Sequence, residues 1–122
     1  MLLQLLRVKI QQVVVTESSE KYPGSIALPD ELIEASGLRL FEQVHVNNLT
    51  NGNRILTYVV RSKKSGYVSL NGAASHQFKK GDKIHILAYA FFDKEQEAEE
   101  FQPTIVYADG DNRLIESKKY TF

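Results

Sequence analysis

The chain has 122 residues, a length that suits a single domain, residues 1–122, built around one hydrophobic core. Its 15 basic and 15 acidic residues cancel, so no net field gathers nucleic acid or an anionic membrane, and we expect neither as a partner. The absence of cysteine excludes disulfides, thiolate metal ligands and cysteine nucleophiles.

The histidines argue against a metal-binding protein, and the N-terminus argues against a membrane-spanning or secreted protein. His45, His76 and His85 show no metal-ligand spacing, and packed or solvated side chains are the simpler interpretation, so we expect no metal site. The apolar start, residues 1–6, is too short for a membrane span and precedes its charges, whereas a signal peptide carries its charges first. We therefore expect a cytoplasmic protein.

Short apolar runs alternate with turn residues along the chain, which is typical of a mainly β domain. In chain order, the predicted strands cover residues 7–16, 43–49, 54–61, 67–70, 81–90 and 102–108. Pro29 and the acids after it predict a short helix that ends at Gly37, and residues 93–101 are compatible with a second. Asn51-Gly52 predicts a hairpin turn.

Two segments of the chain echo each other. Residues 38–46 and 78–86 align so that apolar residues coincide and His45 meets His85. This repetition suits a small β-barrel made of two similar halves, and the many short strands favour such a barrel over a sheet of βαβ units. Residues 18–24 are polar and predict a turn, and the polar tail is expected to fray beyond Glu116.

Gly24-Ser25 is a common dipeptide whose ordinary interpretation is a flexible turn, but the motifs around it change that interpretation. In order, these are Lys9, Tyr22-Pro23-Gly24-Ser25, Thr50-Asn51-Gly52 with Arg54, Thr57-Tyr58, Asn71-Gly72-Ala73-Ala74, Gly81-Asp82, and Tyr107 with Gly110-Asp111-Asn112. From Leu5 to about Asn112, the chain resembles the pyruvoyl-dependent aspartate 1-decarboxylase family. The resemblance implies a six-stranded double-psi β-barrel with short helices, and a homotetramer with active sites between subunits. It also implies production of β-alanine for pantothenate and coenzyme A synthesis.

The resemblance also implies that the chain cleaves itself at Gly24-Ser25. Ser25 Oγ can attack the preceding carbonyl, which is easy to approach because Gly24 has no Cβ, and Pro23 restricts the loop just upstream. Elimination from the resulting ester and hydrolysis would leave a pyruvoyl group at position 25. The expected products are a β chain, residues 1–24, and an α chain, residues 25–122.

In the family, the pyruvoyl ketone replaces pyridoxal phosphate as an electron sink and forms a Schiff base with the amine of L-aspartate. Tyr58 resembles the proton donor to the former α-carbon, Thr57 the residue that holds the Gly24 carbonyl, and Asn71 a hydrogen-bonding partner of the cleavage site. Their ordinary interpretations are strand residues and an Asn-Gly turn. Thr57 and Tyr58 point to opposite faces of a regular strand, so one site needs a twist or different subunits.

A selective aspartate site also needs cations for two carboxylates. Arg54 can bind one in a bidentate manner, and Lys9 resembles the family's lysine, although exposed strand charges are the ordinary interpretation of both. The remaining candidates contribute backbone, room or a pocket wall: Gly72, Ala73, Ala74 and Tyr22.

The chain also departs from the family pattern. Gln11 stands where histidine is common and Asn47 where tryptophan is common, and Pro23 and Ile26 also vary from common forms. We expect these differences to affect the maturation rate and pocket shape rather than the reaction. Two alternatives stay open: a non-catalytic β-barrel that binds a partner, and a maturation-deficient relative. Cleavage that depends on an accessory maturation factor is also compatible with the sequence.

Overall fold

The computed structural model describes residues 1–20, 24–93 and 95–121. The strands are β1 (Leu3–Val14), β2 (Glu17–Ser19), β3 (Ser25–Leu28), β4 (Gln43–Asn48), β5 (Arg54–Arg61), β6 (Ser69–Asn71), β7 (Lys83–Phe92), β8 (Thr104–Ala108) and β9 (Leu114–Lys119). The helices are α1 (Asp30–Ser36), a 3-10 helix (Gly72–Gln77) and α2 (Glu95–Glu100). No helix within the described residues has the length and apolar character needed to cross a membrane.

The nine strands found in the described ranges form one sheet in the order β2-β6-β3-β5-β4-β7-β1-β8-β9. Neighbours run antiparallel except in the pairs β1–β8, β2–β6 and β3–β5. The prediction of a mainly β protein with short helices is confirmed, with nine strands rather than six. The strand order ends at β2 and β9 without closing into a ring, an arrangement compatible with a small β-barrel, and the double-psi connection stays a prediction.

Strand alternation separates a core face from an outer face. Val44 and Val46 of β4, like Ile84 and Ile86 of β7, are at most 1% exposed. Residues between them, such as His45, project from the opposite face because successive strand side chains alternate. The core therefore lies on one side of the β4–β7 pair, and polar side chains collect on the other.

The two echoing segments meet in space. They pair with each other across the β4–β7 ladder, where the partners are Val46–Ile86, Asn47–His85 and His45–Leu87. Exchanging the two segments leaves this pairing unchanged, so the sequence echo corresponds to a local two-fold arrangement of the strands. The arrangement agrees with the expected similarity of two halves.

The helix predicted between Pro29 and Gly37 forms as α1. Pro29 precedes its first turn, and Gly37 ends it with φ 71°, in the left-handed region that glycine favours. The Gly37 N–H donates to the Ile33 carbonyl over 3.0 Å, which satisfies one of the last free carbonyls. Leu32 and Ile33 attach the helix to the core.

Two predictions about irregular segments were wrong. The tail does not fray beyond Glu116, because β9 continues to Lys119 and pairs antiparallel with β8. Its side chains are all exposed, so backbone pairing rather than burial orders it. Residues 18–24 were predicted as a turn, but Ser18 and Ser19 belong to β2 (Glu17–Ser19), which pairs with β6.

Candidate active site

Ser25 is the first residue of β3, the strand that runs between β5 and β6. β3 lies parallel to β5, with Ile26 opposite Val59, and antiparallel to β6, with Ser25 opposite Asn71. The Ser25 residue is only 4% exposed. Ser25 is therefore held in the sheet and is not part of a flexible turn, the ordinary interpretation of a Gly-Ser dipeptide.

A chain of buried polar side chains leads to the Ser25 hydroxyl. Asn71 Nδ2 donates a hydrogen bond to Ser25 Oγ over 3.1 Å. Ser69 Oγ donates to Asn71 Oδ1 over 2.6 Å, which orients the amide so that its NH₂ group faces Ser25. The amide donor stabilises negative charge on Ser25 Oγ, because hydrogen bonds to an ionised oxygen are stronger than those to a neutral one.

Gly24 borders a cavity of about 310 Å³. The same cavity is bordered by Thr57 and Tyr58 of β5 and by Ala73 and Ala74 of the 3-10 helix. If the β3–β5 register is continued toward the N-terminus, Gly24 lies beside Thr57 and Ser25 beside Tyr58. The structure thus brings together residues from three separate parts of the chain at the predicted cleavage bond.

Thr57 and Tyr58 do project from opposite faces of β5. Thr57 pairs with Val44, a core residue, whereas Tyr58 pairs with Gln43 on the outer side. Both still border the smaller cavity, because β3 begins only at Ser25 and the preceding part of β5 has no strand neighbour there among the described residues. An open strand edge can be reached from both faces, so neither a twist nor a second subunit is required.

A second cavity, of about 630 Å³, borders Ser25 itself. Tyr58 and Asn71 also line it, so Tyr58 is shared between the two cavities. The Thr57 hydroxyl makes no hydrogen bond to the part of the chain that the structure describes, and its action on the Gly24 carbonyl stays a prediction. Gly72 opens the 3-10 helix with φ 64°, a conformation that lets the backbone turn sharply behind the cavities.

The predicted carboxylate-binding residues lie elsewhere in the described structure. Lys9 of β1 borders a separate cavity of about 700 Å³ together with Leu87 and Phe101. Arg54 begins β5, is exposed, and donates from Nε to Asn47 Oδ1 over 2.7 Å. Neither cation borders the two cavities at Gly24 and Ser25.

Lys9 and Arg54 nevertheless belong to one surface, which we call the outer face and define by Lys9, His45, Asn47, Arg54 and His85. These residues are linked across β1, β7, β4 and β5 by strand pairing. His45 Nδ1 and His85 Nε2 are buried without a hydrogen-bond partner in the described residues. Burial lowers the pKa of His85, and the nearby charge of Lys9 lowers it further.

Comparison with known proteins agrees with this geometry. The family model described as aspartate decarboxylase matches residues 1–115. The chain belongs to the aspartate decarboxylase family. It is 49% identical over 113 residues to an aspartate 1-decarboxylase of Stenotrophomonas maltophilia, covering 92% of this chain and 89% of that protein. It is 44% identical over 119 residues to that of Alkalilimnicola ehrlichii, covering 97% and 94%. The corresponding protein of Hydrogenovibrio crunogenus is 40% identical over 119 residues, covering 97% and 92%.

The residues around position 25 fit the pyruvoyl group expected in the aspartate decarboxylase family. The Asn71 amide donates to Ser25 Oγ, the oxygen that leaves with the Gly24 carboxylate, so this donor would become available to a ketone oxygen formed on the neighbouring α-carbon. The larger cavity leaves room for a ligand beside this atom. Within residues 1–20, 24–93 and 95–121, no group of three or more His, Asp or Glu residues could hold a metal.

Sequence reasoning overlooked several residues at this site of an aspartate decarboxylase family member. Ser69 was overlooked although it stands two positions before Asn71, the spacing that places both on one face of a strand. Phe41, Lys63 and Lys64 line the larger cavity but gave no signal, because their loops reach Ser25 only after folding. Tyr22, predicted to line the pocket, lies outside the described residues, as does Pro23.

Proposed function

We propose that this chain is an aspartate 1-decarboxylase that converts L-aspartate into β-alanine and CO₂ after cleaving itself at Gly24-Ser25. The observation that carries the proposal is the buried Ser25 hydroxyl, hydrogen-bonded by the Asn71 amide and bordered by a cavity, in a chain of the aspartate decarboxylase family. A non-catalytic β-barrel has no need for this buried serine–asparagine contact next to an open cavity.

The cleavage begins when Ser25 Oγ attacks the Gly24 carbonyl carbon. The Gly24–Ser25 C–N bond breaks, an ester to Ser25 Oγ forms, and the amine of residue 25 is released. Loss of the α-proton of residue 25 then expels the Gly24 carboxylate and leaves dehydroalanine. Its enamine tautomerises and water hydrolyses it, releasing ammonia and leaving the pyruvoyl ketone at position 25.

The surroundings of Ser25 support this course and indicate a slow step. Asn71 holds Ser25 Oγ and stabilises the charge that develops on it during attack. Gly24 presents its carbonyl without a Cβ, and the nearest atom to a Cβ built there is 4.0 Å away, at the Asn71 carbonyl oxygen. No carboxylate or imidazole is hydrogen-bonded to Ser25 within the described residues, so no such side chain accepts its proton directly.

When present, the pyruvoyl group supplies an electrophilic ketone that draws electrons from the substrate during loss of CO₂. The Tyr58 hydroxyl, on a side chain that borders both cavities, is the proposed donor of the proton that replaces the lost carboxylate. Thr57 borders the smaller cavity, where it is proposed to hold the Gly24 carbonyl. Ala73 and Ala74 leave space for the substrate because their side chains are small.

Lys9 and Arg54 are the proposed binding residues for the aspartate carboxylates. Because neither borders the cavities at Gly24 and Ser25, their role supports the proposal that sites form between subunits of a homotetramer, where one copy's outer face meets another's Ser25. The β-alanine product is proposed to serve pantothenate and coenzyme A synthesis in the cytoplasm. An accessory maturation factor would compensate for the lack of a side-chain base hydrogen-bonded to Ser25 among the described residues.

Mass spectrometry of the purified protein tests the proposal directly. We expect the 13.8 kDa chain to give two fragments, residues 1–24 and 25–122, the larger with a ketone instead of an N-terminal amine. Treatment with borohydride and aspartate should increase the mass of the larger fragment only. When aspartate is supplied without borohydride, β-alanine should accumulate. An intact chain after prolonged incubation, with or without cell extract, would indicate the maturation-deficient alternative. Two fragments without β-alanine would contradict the assigned substrate.

A further inference from the structure

The segment 62–67, in the loop that joins β5 to β6, carries two lysines to the larger cavity at Ser25. Lys63 and Lys64 line this cavity together with Arg61 at the end of β5. No acidic residue within the described ranges lines it. Among the described residues, the charged side chains that line this cavity are therefore cationic, although the chain as a whole is neutral.

The backbone of this loop is held at both ends. On one side, the Ser62 N–H donates to the Leu28 carbonyl of β3 over 2.8 Å, and Ser62 Oγ donates to the Lys64 carbonyl over 3.1 Å. On the other side, the fully buried Asn112 donates from Nδ2 to the Gly66 carbonyl over 2.9 Å. The lysines are thus attached to a fixed support rather than to a free surface loop.

Gly66 shows how closely this loop fits its support. It has φ 72°, and a Cβ built on it would lie 2.7 Å from the Asp111 carbonyl oxygen. A side chain at this position would displace the loop from Asp111. The close approach keeps Lys63 and Lys64 at the cavity that contains Ser25.

The charges of the two lysines are not neutralised by ion pairs in the described residues. Asp30 and Glu31 of α1 line a neighbouring cavity together with both lysines, but each forms an ion pair with an arginine. Arg61 Nε lies 2.6 Å from Asp30 Oδ1, and Arg113 Nε lies 3.0 Å from Glu31 Oε2. Lys64 Nζ lies 5.9 Å from the centre of the Tyr67 ring, a cation–π distance that still leaves its donors free.

We propose that Lys63 and Lys64 form a recruitment site that collects small dicarboxylates at the cavity beside Ser25. The inference rests on the proposed function, because L-aspartate is such a dicarboxylate. It differs from the roles of Lys9 and Arg54, which lie on the outer face and border neither cavity at the cleavage bond. A dicarboxylate is favoured over a monocarboxylate because two separate ammonium groups face one cavity.

The experiment compares the variant Lys63→Gln/Lys64→Gln with wild type, after confirming equal cleavage by mass spectrometry. We expect kcat/KM for L-aspartate to fall about 3- to 10-fold at low salt, mainly through KM, the size that exposed charge pairs produce. The difference should disappear at about 0.5 M salt, because exposed charges are then screened. The matched control is Lys79→Gln/Lys80→Gln, an exposed lysine pair that borders none of the described cavities at Gly24 and Ser25.

Succinate, a dicarboxylate without the amine, separates failure of this inference from failure of the proposed function. Its inhibition constant should rise in the Lys63→Gln/Lys64→Gln variant, whereas that of propionate should not change. Equal kcat/KM and equal succinate inhibition in both lysine-pair variants would overturn the recruitment site while leaving the decarboxylase intact. If wild type makes no β-alanine, the proposed function fails, and succinate titration followed by NMR still decides whether Lys63 and Lys64 bind dicarboxylates.

Discussion

The cleavage region and the outer face differ in how much of each is assembled within a single chain. We define the cleavage region by Gly24, Ser25, Thr57, Tyr58 and Asn71. Here three strands and the residue that precedes β3 border the same pair of cavities. On the outer face, Arg54, one of the two proposed carboxylate-binding residues, is hydrogen-bonded to the Asn47 amide. His45 Nδ1 and His85 Nε2 are buried there without partners among the described residues.

This difference follows from the two kinds of chemistry proposed. Backbone cleavage joins a hydroxyl to the adjacent carbonyl, and one chain already holds both of these groups next to each other. Substrate recognition needs cations that converge on a ligand, and Lys9 and Arg54 do not converge on Ser25 in one chain. Tyr58 connects the regions, because it borders both cavities and shares the outer side of β5 with Arg54.

Removing the nucleophile should have the largest effect. Ser25→Ala has no hydroxyl for the acyl shift, so we expect an intact chain by mass spectrometry and at least about a 1,000-fold loss of β-alanine production. The control is Ser36→Ala, which removes another buried hydroxyl, hydrogen-bonded within α1. Cleavage or decarboxylation by Ser25→Ala would contradict the proposed origin of the pyruvoyl group.

Tyr58→Phe should separate the two regions at the residue they share. We expect cleavage at the wild-type rate and a decrease in kcat of about 100-fold, because the proton donor is lost while the ring still packs. Tyr67→Phe is the matched control, since Tyr67 also lines the larger cavity but is given no proton-transfer role. Normal turnover by Tyr58→Phe would exclude Tyr58 as the sole donor.

Arg54→Gln tests whether the outer face acts on substrate alone. We expect unchanged cleavage and a decrease in kcat/KM for L-aspartate of about 30-fold, mainly through KM, from loss of a charge-assisted contact. Arg39→Gln, at an exposed arginine outside the outer face, should behave as wild type. If Arg54→Gln slowed cleavage as much as decarboxylation, the two regions would not be functionally separate.

Asn71→Ala should have a smaller effect on the proposed cleavage than Ser25→Ala. Losing the hydrogen bond to Ser25 Oγ should slow cleavage about 10-fold, measured as fragment appearance with time. Ser69→Ala should slow it less, because it removes only the contact that orients the Asn71 amide. A faster cleavage in Ser69→Ala than in wild type would show that this orientation opposes the attack.

Locally coded elements were predictable from the sequence, and elements formed by distant pairing were not. The Asn51-Gly52 hairpin and the helix ending at Gly37 depend on backbone preferences within a few residues, and both form. β3 was missed because residues 25–28 are all buried and show no alternation. β9 was missed for the opposite reason, since all its side chains are exposed and only pairing with β8 orders it.

The site shows the same division. The order of motifs along the chain led to Ser25, Thr57, Tyr58 and Asn71, and the fold brings them together. The Ser69 contact and the lysines of the 62–67 loop could not be predicted, because they depend on which strands become neighbours of β3. Resemblance therefore pointed to the proposed reacting residues, whereas the groups proposed to orient and attract came only from the structure.

The smallest expected effect concerns His85 on the outer face, whose pKa is lowered by burial and by Lys9. The unfolded chain binds a proton at His85 near pH 6.5, the folded chain only at lower pH, so the folded state loses stability as pH falls through 6.5. His85→Gln should therefore show a smaller decrease in Tm than wild type between pH 7.5 and about 5.5. His76→Gln, at an exposed histidine near Glu20, should not reduce that decrease. Equal pH dependence of Tm in His85→Gln and wild type would mean that the imidazole gains a partner on the outer face, as contact with another subunit would provide.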